Sequence, residues 1–253
     1  MEISEQSLRA LVDATDEQHR AGMASLRSDI GELHSEMRRL RPILSRTTAQ
    51  RRMLRRAAGT ASLVTIGSQV LPVSSFLPRA AAAGGDAGIA AFAESVELTA
   101  VAAYDAAAKS GLVTTKAVLD AAVKFSGHHT EHAAAFGAAA GDAATGKLNQ
   151  ALLDALVPGL TAAKSENDVL KLAYDLENAA AATYLFALGA LESVGALQLT
   201  ASILPVEAQH AGVERGRQVQ RTAVGRDEQV ATGEHGGQPG HVGGPGQVAL
   251  VFG

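Results

Sequence analysis

The chain has 253 residues, enough for one domain with appendages, and its formal net charge of −4 gives no electrostatic footprint for nucleic acid. Hydrophobic residues make up 47% but aromatics only 4%, so the core is built from Ala, Leu and Val, which suits closely packed helices rather than sandwiches or barrels. No cysteine is present, which excludes disulfides, thiolate metal sites and cysteine nucleophiles together.

Residues 1–45 read as a charged helix. Met23, Leu26, Ile30, Leu33, Met37 and Leu40 recur by three and four. Such a seam either pairs copies of the chain through 23–43 or belongs to a solvated helix with no partner. A basic stretch, Arg46 through Arg56, completes a charged, coiled-coil-prone extension over 1–56 and contains Arg51-Arg52 followed by Met53-Leu54. An apolar run over 57–77 and the small-residue site Pro78 to Gly84 follow. Charged region, apolar stretch and small residues in this order form an export signal, and Arg-Arg-x-x-Leu resembles the twin-arginine type. The expectation is a protein exported out of the cytoplasm or held at the cell envelope, with segment 57–84 either cleaved or retained as a membrane anchor through 57–77. The alternative is an uncleaved membrane helix that carries no export role.

A folded domain is expected over 87–215. Gly111 ends its first helix and Thr114 or Thr115 caps the second. After a Gly-rich turn at 141–146 comes a short helix, Leu148–Val157, which Pro158-Gly159 stops. Ser165 caps the third long helix, and the fourth spans about 196–214 with a kink at Pro205. The segment 141–165 is long enough to cross an antiparallel four-helix bundle. Residues 216–253, rich in Gly, His, Gln, Arg and Pro without periodicity, are expected to be a disordered tail. Their mixture also resembles out-of-frame translation of a GC-rich gene.

Reading each helix at spacings of three and four places lone polar residues in apolar stripes. They are Glu97 among Ala90, Ala93, Val101 and Tyr104; His129 and His132 between Phe125 and Phe136; Glu177 between Ala173 and Ala180; and Glu207 with His210 after Ile203. Burying an unpaired carboxylate among alanines is relieved by a proton, a partner or a metal. A bundle holds a metal pair with one Glu on each of two helices and Glu-x-x-His on each of the other two. Glu207-Ala208-Gln209-His210 supplies that element, and Glu97 and Glu177 match the single carboxylates. The second helix departs from the pattern, because it reads His129-Thr130-Glu131-His132 and a neutral imidazole does not bridge two ions as a carboxylate does. The candidate ligands are therefore Glu97, His129, His132, Glu177, Glu207 and His210, a donor set suited to iron, manganese or zinc. Tyr104 and Tyr184, two turns beyond a Glu, either hydrogen-bond a ligand or pack. His128 and Glu94 are expected at the surface, and His235 and His241 uninvolved.

The segments Glu97–Tyr104, His128–His132, Leu176–Tyr184 and Ile203–His210 resemble the ferritin-like domain proteins of actinobacteria. The resemblance covers about half the chain. It implies an all-α, ferritin-like antiparallel four-helix bundle and export behind a twin-arginine signal. It carries the metal positions onto Glu97, Glu177, Glu207, His210 and His132, with His129 where Glu stands in the family; no settled activity follows.

Two functions of different class remain: an iron or manganese site, or a metal-free helical module with a structural or interaction role at the envelope. Without a metal, the clustered acids are expected to have raised pKa values. No substrate pocket, nucleotide loop or nucleophile motif is readable, so no reaction is assigned.

Overall fold

A computed structural model describes residues 4–44, 63–67, 69–75 and 85–232, with the backbone alone at 25–44, 63, 74 and 218–232. The Arg51-Arg52 pair, the small-residue site, residues 233–253 and the side chains of most of the 23–43 seam lie outside the described residues.

Among the described residues, six α-helices and one hairpin appear in the order α1 (Glu5–Leu44), β1 (Leu63–Ile66), β2 (Gln69–Pro72), α2 (Gly85–Lys109), α3 (Lys116–Ala140), α4 (Gln150–Ala162), α5 (Glu166–Ala190) and α6 (Val194–Thr232). A four-helix bundle is formed by α2, α3, α5 and α6. The closest partners are α2 with α3 and α5 with α6, and α2 against α5 and α3 against α6 join the two pairs. The crossing segment holds α4 and is pinned to α2, where the Asn149 amide donates to the Ser95 carbonyl and to Thr99 Oγ1 at 3.1 and 2.8 Å. Alanines at 90, 93, 100, 103, 121, 122, 179 and 180 are buried and let the helices approach closely, with Phe125, Phe136, Tyr104 and Tyr184 filling the gaps.

Helix ends follow local chemistry with three departures. Ser165 Oγ caps α5 by accepting from the Asp168 amide at 3.2 Å, as expected. Thr115 stands at the N-cap of α3 without a side-chain cap bond; the carboxylate of Glu166, on a different helix, takes the amides of Thr114 and Thr115 at 2.9 and 2.8 Å instead. Pro158 and Gly159 do not stop α4, which runs on to Ala162. The carbonyl that Pro158 deprives belongs to exposed Asp154, on the solvent side of the helix, and Gly159 leaves room for the side chain of Leu172, which a Cβ there would displace. Likewise α6 continues to Thr232, well past the expected end near 214: Gly216 and Gly225 each cost a helix about 1 kcal/mol relative to alanine, too little to end it.

Two N-terminal segments dock on the bundle. Leu8, Val12, Thr15 and His19 form a buried stripe of α1, which packs against α6 and α3. The apolar stretch does not form a membrane-length helix over its described part. Leu63–Ile66 and Gln69–Pro72 pair antiparallel, and Val64, Ile66 and Val73 are buried, with β1 lying on α5. Gly67 turns the hairpin at φ 61°, and its amide donates to Asp175 Oδ2 at 2.9 Å, an oxygen also taken by Lys171 Nζ at 2.9 Å. Among the described residues α2 alone is long and apolar enough to cross a membrane, and 67% of that stretch is buried in the bundle.

The Asp175 contact predicts that Asp175→Ala leaves the Gly67 amide without an acceptor at a cost of about 1–3 kcal/mol. Hydrogen exchange of Gly67 should accelerate while amides within α2 and α3 keep their protection.

Candidate metal centre

All six candidate ligands meet in one place, at mid-bundle, and none has measurable solvent exposure. Glu97 comes from α2, His129 and His132 from α3, Glu177 from α5, and Glu207 and His210 from α6; the i,i+3 spacing puts both residues of each pair on one helix face. His129 spans the centre, with Nδ1 2.6 Å from Glu97 Oε2 and Nε2 3.1 Å from Glu177 Oε1. His132 Nδ1 lies 2.9 Å from Glu207 Oε1 and 3.4 Å from Glu97 Oε1. His210 Nδ1 lies 3.4 Å from Glu177 Oε2 and 3.7 Å from Glu207 Oε2.

The two tyrosines tie the halves together crosswise. Tyr104 of α2 donates to Glu177 of α5, and Tyr184 of α5 donates to Glu97 of α2. Each stands seven residues after the glutamate of its own helix, so the α2–α3 and α5–α6 halves repeat one pattern, broken where His129 replaces the counterpart of Glu207. Both phenols are pushed up by burial and by neighbouring carboxylates, and so remain donors.

Donor atoms within 4.8 Å of one another form two quartets that share His129 and Glu207: Glu97, His129, His132 and Glu207, and His129, Glu177, Glu207 and His210. Several of these atoms are buried with no hydrogen-bond partner: Glu177 Oε2, both oxygens of Glu207, both nitrogens of His132, and His210 Nδ1. The 2.9 Å approach of His132 to Glu207 is close enough to attract but is not aligned as a hydrogen bond. Unpartnered buried acceptors converging on one point are what a cation would satisfy, so the residues present fit a metal ion.

The charge pattern differs from a simple cluster of acids. Burial alone would raise Glu97, but His132 and His129 outweigh it and hold the carboxyl at about 2; Glu177 is held well below its usual range in the same way by His129 and His210. Burial opposes protonation of the imidazoles, yet the carboxylates lift His132 to about 9, His129 well above its ordinary value, and His210 in the same direction. For Glu97 and Glu177, the expectation of raised values is therefore wrong in sign, because each acid faces imidazoles rather than other acids. The carboxyl that does rise is Glu214, one turn beyond His210: burial and Glu177 push it to about 8.

A further layer escaped the sequence reading. His128, expected at the surface, is buried, with Nδ1 3.0 Å from His210 Nε2 and Nε2 3.1 Å from Asp16 Oδ1 of α1. His19 of α1 stacks on His128 with ring centroids 4.1 Å apart and lies 5.0 Å from the ring of His132. Glu94 is also buried, accepting from the Thr145 amide at 3.1 Å. The signal for α1 was present in the spacing Leu8, Val12, Thr15, His19, a stripe of the same period as the 23–40 seam.

A family model described as a ferritin-like domain matches residues 85–219. The chain belongs to the ferritin-like domain family. Searches of curated proteins and of solved structures return no match. The matched span holds every candidate ligand of the ferritin-like domain, while α1 and the hairpin lie before it.

These shifts set the pH response of the metal-free protein. His132 stands above its ordinary 6.5, so its stabilisation is complete below about pH 6.5 and gone above about 9. Glu97 stands below its ordinary 4.5, so its contribution is present above that pH and lost as pH falls toward about 2. Glu214 stands above 4.5, so its burial costs stability as pH climbs toward about 8. Calorimetry with a chelator present should show the melting temperature falling between about pH 6.5 and 9, and Glu214→Gln should flatten that fall without changing the acid limb.

Proposed function

We propose that the ferritin-like domain is a metal site for iron or manganese, held by Glu97, His129, His132, Glu177, Glu207 and His210. The observation that carries this reading is the convergence of carboxylate oxygens of Glu177 and Glu207 that accept no hydrogen bond, beside His210 Nδ1, in a core that excludes solvent. Carboxylate oxygen and imidazole nitrogen together match the preferences of these ions. Such an ion would supply redox or Lewis-acid chemistry. The protein's own contribution is to orient the ligands through Tyr104 and Tyr184 and to exclude water. Binding needs the imidazoles deprotonated, so ion and protons compete for the same ring nitrogens.

A second reading is favoured by one feature. His129 has both ring nitrogens on carboxylates, so an imidazolium there already supplies positive charge at the centre. In that reading the bundle is a metal-free helical module whose polar core is an internal hydrogen-bond network, with a structural or interaction role at the cell envelope.

Elemental analysis of the full chain after exposure to Fe²⁺ or Mn²⁺ separates the two. Metal should be retained by the wild type and fall sharply in Glu177→Ala and Glu207→Ala. The wild-type protein should gain about 2.7 kcal/mol at an ion concentration of 100 Kd, with protons released on binding. No uptake under reducing or oxidising conditions would leave the metal-free module.

Export by the twin-arginine route is the second part of the proposal, as in the exported actinobacterial proteins that the sequence resembles. The export reading rests on the Arg51-Arg52-Met53-Leu54 spacing ahead of the apolar run. The packing of α1 and β1 on the bundle supports a signal segment retained rather than cleaved. Replacing Arg51-Arg52 by Lys-Lys should confine the protein to the cytoplasm on cell fractionation; unchanged export would rule the route out.

A further inference from the structure

The N-terminal helix lies outside the matched domain, yet it reaches the centre by an unbroken chain of contacts. Asp16 Oδ1 stands 3.1 Å from His128 Nε2, and His128 Nδ1 stands 3.0 Å from His210 Nε2. On its other side, His210 Nδ1 faces Glu177 Oε2 and Glu207 Oε2 at 3.4 and 3.7 Å.

We propose that Asp16 is a positioning residue for the metal centre: acting through His128, it fixes the His210 ring with Nδ1 turned toward Glu177 and Glu207. This rests on the metal reading above.

Proton positions along the chain follow from the first link. A carboxylate only accepts, so the hydrogen between Asp16 and His128 is on His128 Nε2. A neutral His128 then has its lone pair on Nδ1, and the hydrogen of the next link must come from His210 Nε2. That leaves His210 Nδ1 as the atom presented to the carboxylates, either protonated in the metal-free state or as a free lone pair for an ion. Phe125 stacks on the His210 ring at 4.0 Å, which restrains its plane but not which nitrogen faces inward. The hydrogen bond from His210 to His128 makes that choice.

Asp16 is itself held. Its Oδ2 receives Lys124 Nζ at 3.3 Å and the guanidinium of Arg20, leaving Oδ1 for His128. Burial of Leu8, Val12, Thr15 and His19 fixes α1 against α3 and α6, so the carboxylate arrives on a packed helix rather than a loop. Asp13 gives an internal control: it pairs with the same Lys124 at 2.9 Å but does not touch His128.

The test uses the full chain with Co²⁺ as a spectroscopic probe, read by its absorption bands, and histidine nitrogen NMR of the metal-free protein at alkaline pH. Loss of an outer hydrogen-bond partner of a ligand typically weakens metal binding about 10–100-fold. Asp16→Ala should show that loss, Asp16→Asn should recover most of it because its amide oxygen still accepts from His128, and Asp13→Ala should bind as the wild type does. His128→Phe, which keeps a ring in the stack but removes both nitrogens, should weaken binding to a similar degree, and the double variant with Asp16→Ala should be no worse than either single change. In the wild type, His210 should carry its proton on Nε2. Wild-type affinity in Asp16→Ala, equal losses in Asp13→Ala and Asp16→Ala, or a neutral His210 protonated on Nδ1 would each overturn the proposal. Should the wild type bind no Co²⁺, Fe²⁺ or Mn²⁺, the metal reading fails and this inference with it, whereas binding that is indifferent to Asp16 sinks the inference alone.

Discussion

Charge matching in a dry core is the constraint on which the rest of the structure depends. Glu97, Glu177 and Glu207 are fully buried among alanines, and so are His129, His132 and His210. An isolated carboxylate there would cost several kcal/mol in desolvation, and removing one partner of a buried pair typically costs about 3–5 kcal/mol. The fold meets this by bringing acids and imidazoles from four helices to contact distance, so that each disfavoured charge is the solution to another. Neutralising one carboxylate with alanine therefore does not relieve repulsion, as a cluster of acids alone would suggest; it strands an imidazolium.

The same constraint explains the composition. Ligands on four different helices come within 4.8 Å only if the helix axes are close, and small buried residues at Ala93, Ala100, Ala121, Ala122, Ala179 and Ala180 allow that approach. The few aromatics stand where they perform two tasks. Tyr104 and Tyr184 fill volume beside the centre and spend their hydroxyls on the opposite half's glutamate, which would otherwise have another unmet lone pair. Phe125 fills core volume and restrains a ligand ring.

What could be read in the sequence was whatever depends on local period. The stripes containing Glu97, His129, His132, Glu177, Glu207 and His210 are each set by one helix, and the bundle does bring them together. His128 was misplaced because a position beside the main stripe is buried only if a further helix covers it, and α1 does so from more than a hundred residues away. The apolar run over 57–77 has the composition of a membrane span, but Gly67 turns back the part over 63–72 and Asp175 accepts its amide, a tertiary contact without a local signature. The length of α6 was missed for the opposite reason: local composition changes at 216, but two glycines are too weak a penalty to break the helix there.

The exchange of a carboxylate for His129 changes what the centre can do before any ion arrives. A site with four glutamates and two neutral histidines would fold with four uncompensated negative charges and would depend on metal to do so. Here three carboxylates face three imidazoles whose pKa values the carboxylates themselves raise, so the metal-free core can balance its charges with protons alone. The same pairing sets the terms for binding, since an ion must displace protons from His129, His132 and His210 to use their nitrogens, and its affinity rises with pH in the range where the metal-free bundle loses stability. An imidazole at 129 thus gives up the bridging capacity of a carboxylate and contributes a positive charge to the core when protonated.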